Sequence, residues 1–343
     1  MINCLRLTNF RLFSKSEFKF DNSLVIFSGK NATGKTTILE AIYLASTSKS
    51  HRENDLTNLI SNGKNYLKVE LEASKSYKII ISNDEKSFSI NNTLKKNKEF
   101  VGDLNVVMFS PGDLDIINGA KLVRRRFLDL ELSLIYKNYL VNLSEYKKYL
   151  SERNEILKSN NPDKVYLEVV TTELIRRLEF IYNYRMSFIN ELNKYLVDIS
   201  NKLNVPLINL KYIKTYSDDL EKSFKEKLDR DILSRTTNIG AHRDDFEIYL
   251  GGLNAMVYAS EGQKRIICIA IKLALKEYIS NKLNKEVVLL LDDVFATLDG
   301  ERIASLTKYI VNSNQAFITT TSVFEIPDEI IKKAIVIRMD RKV

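Results

Sequence analysis

The stretch FSGKNATGKTTILEAI, residues 27–42, constrains this chain more than any other. Gly29, four residues, then Gly34-Lys35-Thr36 is the G-x-x-x-x-G-K-[ST] phosphate loop. The loop works only between a strand and a helix, and both are legible. Leu24-Val25-Ile26-Phe27 reads as a short buried strand, and Ile38, Leu39, Ile42 and Tyr43 recur at helical spacing. The glycines let backbone N–H groups turn inward around an anion, and the new helix aims its positive end at the same place. The expected nucleotide-binding set is Gly29, Lys30, Asn31, Ala32, Thr33, Gly34, Lys35, Thr36 and Thr37. Lys35 should reach the β- and γ-phosphates of ATP, and the Thr36 hydroxyl should bind Mg²⁺.

A second half of the site lies about 260 residues further on. VVLLLDD, residues 287–293, is an apolar strand ending in two carboxylates. Beside a phosphate loop, Asp292 is expected on Mg²⁺, and Asp293 is placed to accept a proton from the attacking water. Lys35, Asp292 and Asp293 are thus the expected catalytic group. In ASEGQKRIICIAIKLALK, residues 259–276, Ser260, Gly262 and Gln263 open a long apolar helix and offer a second anion site. One phosphate loop does not need a second such site in its own subunit. The site makes sense if it covers the γ-phosphate held by another copy, so an ATP-dependent homodimer with two-fold symmetry is expected.

The 343 residues suffice for two or three domain-sized units. Residues 1–115 read as strands and hairpins around the phosphate loop. CLRLTNF, SEFKF, YLKVELE and YKIIIS alternate, and SFSINNTLKK carries an Asn-Asn turn. Residues 116–235 change character. Apolar residues from Leu128 to Leu157 follow a three-four spacing, Asn160-Asn161-Pro162 breaks it, and Leu167 to Leu203 resume it. This predicts two long helices packed antiparallel, a short arm. Within the remainder of that segment, LINLKYI reads as a strand and 217–235 as a charged helix. Residues 236–343 return to α/β. The expectation is an α/β nucleotide fold, a mixed sheet with flanking helices, interrupted by a helical arm.

Two cysteines cannot build a disulfide framework, no apolar run approaches the ~18 residues that span a bilayer, and residues 1–20 lack a signal-peptide pattern. A cytoplasmic protein with no membrane partner is expected. The net charge of +8 suits a polyanion such as nucleic acid.

Together these motifs resemble the ABC-type ATPase heads of SMC and Rad50 proteins. GKNATGKTTILEAIYLAS, FSPGDLDIINGAKLVRRRFLDLEL, GAHRDDFEIYL, SEGQKRIICIAIKLA and LLLDDVFATLD resemble, in order, segments of the RecF family of bacterial recombination-repair proteins. Coverage is weakest over 45–105 and 205–235. Gly112, Ala241 and Glu261 depart from residues common in that family, and Glu261 places a negative charge near the proposed γ-phosphate contact.

The resemblance implies further roles. Arg11 matches a residue that meets nucleotide in related heads, and Arg52 an arginine near the γ-phosphate. Asp113 stands where the Q-loop residue is placed, and Asp299 resembles a D-loop aspartate that crosses the dimer. Thr320 sits near the place of a switch histidine, while the role of His242 and Arg243 is not derivable from sequence. The implied function is ATP-controlled binding of duplex DNA at gaps and junctions with single strands. Slow, DNA-stimulated hydrolysis would act as a switch. RecO and RecR would be partners in loading RecA during repair and the SOS response. Arg124, Arg125 and Arg126 are candidate DNA contacts, although three consecutive helical residues cannot share one face. A small SMC- or Rad50-type tethering ATPase is the second reading, and a transporter ATPase subunit the third. The arm is short for the second, and the helical insertion and missing switch histidine disfavour the third.

Overall fold

The computed structural model describes residues 1–296 and 298–339. They form two compact units: residues 1–113, 198–205, 261–296 and 298–339 in the first, and 114–197 and 206–260 in the second.

The core of the first unit is a five-stranded parallel sheet. Its strands are β3 (Leu24–Ser28), β8 (Val106–Phe109), β12 (Val288–Asp292), β13 (Gln315–Thr320) and β14 (Ala334–Arg338), in the order β14-β3-β13-β12-β8. β3, β8, β12 and β13 are buried along their whole length. That is why they read as continuous apolar runs and not as alternating ones. β13 lies between the phosphate-loop strand β3 and the acidic strand β12, so all three end at one edge of the sheet. Open parallel sheets bind ligands at that edge.

A six-stranded antiparallel sheet accompanies it in the same unit. It comprises β1 (Cys4–Phe10), β2 (Phe13–Lys19), β4 (Tyr66–Glu72), β5 (Ser76–Ser82), β6 (Lys86–Ile90) and β7 (Thr93–Lys95), in the order β2-β1-β4-β5-β6-β7. The expected Asn-Asn turn joins β6 to β7, with Asn91 and Asn92 both left-handed. Parallel and antiparallel strands therefore both occur, but in separate sheets.

Among the described residues, the helices of twelve or more residues are α1 (Lys35–Thr47), α2 (Lys121–Ile135), α3 (Lys137–Lys158), α4 (Lys164–Lys202), α5 (Leu220–Ser234), α6 (Glu261–Glu277) and α7 (Gly300–Val311). α4 has 39 residues, about 58 Å at ~1.5 Å per residue. The segment expected as one helix ending at Leu157 is two, α2 and α3, separated by an extended Tyr136 (φ −123°, ψ 106°). No Pro or Gly marks this break. Tertiary bonds hold it: the Tyr139 hydroxyl donates to Asp129 at 2.6 Å, and Arg185 on α4 donates to the same carboxylate oxygen at 2.7 Å.

The second unit also carries a three-stranded antiparallel sheet of β9 (Ile208–Ile213), β10 (Asp245–Leu250) and β11 (Leu253–Asn254), in the order β11-β10-β9. β10 pairs with β9 along its whole length. Residues 236–260 accordingly belong to the helical unit, and the unit boundary falls at 260/261 and not at the expected 235/236. Among the described residues no helix is long and apolar enough to cross a membrane.

Candidate nucleotide site

The phosphate loop leaves β3 at Gly29 and enters α1 through Gly34. Gly34 sits at φ 97°, and a Cβ there would lie 2.8 Å from the Phe13 ring, so both conformation and space demand glycine. A Cβ on Gly29 would collide with the Met339 carbonyl. Lys35 folds over its own loop, its Nζ donating to the Gly29 carbonyl at 2.5 Å and to that of Lys30 at 2.8 Å. Burial pushes the Lys35 pKa down, while Asp293 and Asp292 oppose the shift. The Thr33 hydroxyl donates to the Lys30 carbonyl at 2.9 Å and tightens the turn.

The two carboxylates arrive from β12. Asp292 Oδ1 accepts from Thr36 Oγ1 at 2.8 Å and from Thr319 Oγ1 at 2.6 Å. Asp293 is a non-glycine residue at φ 52°, and its N–H donates to Thr319 Oγ1 at 3.0 Å. Burial raises the Asp293 pKa; Glu325 and Asp292 add to the rise, and Arg265 and Lys35 oppose it. Arg265, on α6, donates to the Asp293 carbonyl. Its guanidinium lies over the Phe109 ring at 5.8 Å, and its Nε is buried without a partner.

Among the described residues no group of three or more His, Cys, Asp or Glu could hold a metal. The Thr36 hydroxyl and Asp292 carboxylate are nevertheless hard oxygen donors 2.8 Å apart. Such a pair fits Mg²⁺ that takes its other ligands from phosphate and water.

A cavity of about 470 Å³ opens over these groups. From the expected set it is lined by Asn31, Ala32, Gly34, Lys35, Thr36, Thr37, Arg52, Asp292 and Asp293, and from outside it by Leu12, Pro111, Thr319 and Thr321. Gly29, Lys30 and Thr33 shape the loop without lining the cavity. In ITTTS, Thr319 and Thr321 reach the cavity because side chains alternate along a strand. Thr320 is buried and donates to Glu325 at 2.8 Å, which corrects the expectation attached to it. Strand alternation counted from Asp292 could have selected Thr319, but only with the β12–β13 register in hand.

Arg11 does not line the cavity. Its guanidinium is bidentate on Glu40, with Nε and Nη2 each 2.9 Å from an oxygen. Asp113 accepts from the Ser110 N–H at 2.7 Å and pairs with Lys272 on α6 at 3.1 Å, while its neighbour Pro111 lines the cavity. At the start of α6, Ser260 and Glu261 are exposed, and a Cβ on Gly262 would meet nothing within 4 Å. Gly262 and Gln263 do not line the phosphate-loop cavity of their own chain. Glu261 pairs with Lys264 at 3.1 Å, which offsets the charge that set this chain apart. Asp299 caps α7, accepting from the Arg302 N–H at 3.0 Å.

The candidate DNA arginines separate sharply. Arg124 is buried and bidentate on Asp245, at 2.7 and 3.0 Å, and donates to the Gly119 carbonyl at 3.0 Å. It is a structural ion pair and no surface contact, which corrects the expectation. Arg125 is half-buried and donates to the Asp244 carbonyl at 2.9 Å, and only Arg126 is exposed.

GAHRDD supplies the partners in this packing. Asp245 holds Arg124, the Ala241 carbonyl accepts from Arg185 at 2.8 Å, and Asp244 accepts from the Tyr212 and Tyr216 hydroxyls at 2.7 and 2.8 Å. His242 Nε2 faces the Thr237 carbonyl at 3.0 Å and therefore carries the proton, so Nδ1 accepts from the Tyr146 hydroxyl at 2.8 Å. Burial pushes the His242 pKa down to about 4.

The model of the RecF/RecN/SMC N terminal domain matches residues 1–339. The DNA replication and repair protein RecF of Acholeplasma laidlawii is 38% identical over 325 residues, covering 93% of each chain. A structure of the recombination mediator protein RecF with ATP, in the RecFOR pathway, is similar with a TM-score of 0.86 and 29% identity, covering 95% of this chain and 93% of that one. A Pyrococcus furiosus Smc head shares the fold at a TM-score of 0.56 and 17% identity, covering 99% of this chain and 94% of that one. The phosphate loop, the paired acids at the end of β12 and the interposed helical unit thus occur in a chain that belongs to the RecF family of SMC- and Rad50-like ABC ATPases.

Proposed function

We propose that this chain is an ATP-controlled, DNA-binding switch of DNA repair. The observation that carries the reading is the convergence of Lys35, Thr36, Asp292 and Asp293 on one cavity, from segments about 260 residues apart. ATP enters with its phosphates against the loop N–H groups and the start of α1. Lys35 exchanges its two loop carbonyls for phosphate oxygens. Mg²⁺ held by Thr36 and Asp292 supplies neutralisation of phosphate charge. Asp293 takes a proton from the attacking water as the water oxygen bonds to the γ-phosphorus and the bond to ADP breaks. An aspartate reaches less far than the glutamate common in ABC transporters, so hydrolysis is slow and serves timing.

The start of α6 at Ser260, Gly262 and Gln263 meets the γ-phosphate of a second copy, and Asp299, at the start of α7, crosses the same interface. ATP then adds contacts that exist only in the dimer and shifts that equilibrium. The closed dimer grips duplex DNA at gaps and single-strand junctions through phosphate contacts with strong salt dependence. RecO, RecR and RecA loading are the partners and outcome that membership of the family supports.

The test is the mass of Asp293→Asn in solution, with and without ATP and Mg²⁺, and then with a gapped duplex. An ATP-dependent dimer that retains the duplex, and that Ser260→Arg abolishes, is expected. A monomer with ATP bound would remove the switch.

A further inference from the structure

Arg11 is the site residue whose surroundings depart most from its expected role, and those surroundings are unusually complete. It occupies a left-handed conformation, φ 53°, between β1 and β2. Its main chain is pinned on both sides: the N–H donates to the Leu59 carbonyl at 2.7 Å, and the carbonyl accepts from Ser61 Oγ at 2.6 Å. Three of its N–H groups are committed, two to Glu40 and one to Glu53 at 3.4 Å.

Glu40 lies on α1, the helix begun by the phosphate loop, and its side chain is 0% exposed. A buried carboxylate without a cation is costly, so Arg11 is the condition for Glu40 being there. What Glu40 holds is Ser50. The Ser50 hydroxyl donates to Glu40 Oε1 at 2.5 Å and accepts the N–H groups of Arg52 and Glu53, each at 3.0 Å. One donor and two acceptors exhaust the hydroxyl, so its orientation is fixed. The contacts close a ring: Arg11, Glu40, Ser50, Glu53 and back to Arg11. The segment so held is the one that places Arg52, the arginine lining the cavity.

We infer that Arg11 is a positioning residue, acting through Glu40 and Ser50 to set the main chain from which Arg52 reaches the bound phosphate. The inference rests on the reading of the cavity as the nucleotide site. Arg11 itself does not line the cavity. Its guanidinium fixes a carboxylate, the carboxylate orients a hydroxyl, and the hydroxyl caps two backbone amides.

The experiment compares Arg11→Met, Ser50→Ala, Arg52→Ala and their pairwise combinations in the full chain. Two readouts are used: ATP affinity, and hydrogen exchange at the Arg52 and Glu53 amides without nucleotide. Ser50→Ala and Arg11→Met are each expected to weaken ATP binding on the order of tenfold. Neither should weaken it further in the Arg52→Ala background, because effects relayed through one group do not add. Arg11→Lys keeps the charge without the bidentate grip and should recover part of the loss.

Both amides should exchange faster in Arg11→Met and Ser50→Ala. That readout needs no nucleotide, so it decides the relay even if the wild-type chain fails to bind ATP, an outcome that would instead overturn the function proposed above. Should Arg11→Met leave Glu40 stranded and fail to fold, Arg11→Met with Glu40→Gln removes the stranded charge, and Ser50→Ala tests the same relay alone. Unchanged exchange at Arg52 and Glu53, or losses of affinity from Arg11 and Arg52 that add in full, would overturn the inference.

Discussion

Thr319 donates to Asp292 Oδ1 at 2.6 Å, the same oxygen that Thr36 holds from the phosphate-loop side. The two residues are direct partners in the parallel register of β12 and β13. Thr319 also accepts the Asp293 N–H at 3.0 Å, so one hydroxyl ties both acids to the central strand.

Replacing Thr319 by valine keeps the shape and removes both bonds. The Asp293 N–H then loses its partner in a half-buried setting, at about 1–3 kcal/mol. The midpoint of denaturant unfolding should fall, and ATP hydrolysis should fall while ATP binding is largely retained. Hydrolysis at the wild-type rate would show that the hydroxyl does not hold the acids in their working geometry.

The acid limb of hydrolysis should report Asp293. Burial raises its pKa, so the limb should lie above the ordinary aspartate value of about 3.9. A base acts only when deprotonated, so the rate is lost as pH falls through that raised value. Glu325 adds to the rise and Arg265 opposes it. Glu325→Gln should therefore move the limb down, and Arg265→Met should move it up. Rates followed between about pH 4 and 8, with ATP binding checked at each point, decide this. Shifts in one common direction would refute the assignment.

Arg124 and Arg126 should behave as opposites. Arg124→Met strands Asp245 in the interior, where breaking a buried ion pair costs on the order of 3–5 kcal/mol. Arg126→Ala should leave stability within about 0.5 kcal/mol. Thermal unfolding of the two variants separates the roles, and the salt dependence of duplex binding then shows whether Arg126 contributes a phosphate contact.

His242 makes stability depend on pH. Its pKa falls from 6.5 to about 4 on folding, because burial favours the neutral ring. Below pH 6.5 the unfolded chain takes up a proton that the folded ring refuses, so stability declines as pH falls and levels off near pH 4. The decline attributable to this group is roughly 2–3 kcal/mol after allowance for its partial exposure. In His242→Gln that part of the slope should vanish. An unchanged difference in stability between pH 7 and pH 5 would exclude His242 as its source.

Local chemistry was sufficient for the phosphate loop, the strands that alternate, the Asn-Asn turn and the acids ending β12. Each depends on neighbours in sequence: a glycine where φ is positive, a period of two, or carboxylates after an apolar run. From these the nucleotide fold and most of the cavity lining were legible. Other features were set by partners far away in the chain. Arg124 reads like Arg126 until Asp245 takes it inside. Arg11 reads as a nucleotide contact, and only the fold shows that its guanidinium is bidentate on the buried Glu40. The break at Tyr136 follows from Arg185 and Asp129, and Thr319 is singled out from its neighbours by the register of β12 against β13. The physical reason is the same in each case. A buried polar group must find its partner, and which partner lies within reach is a property of the packed chain and not of the residues beside it.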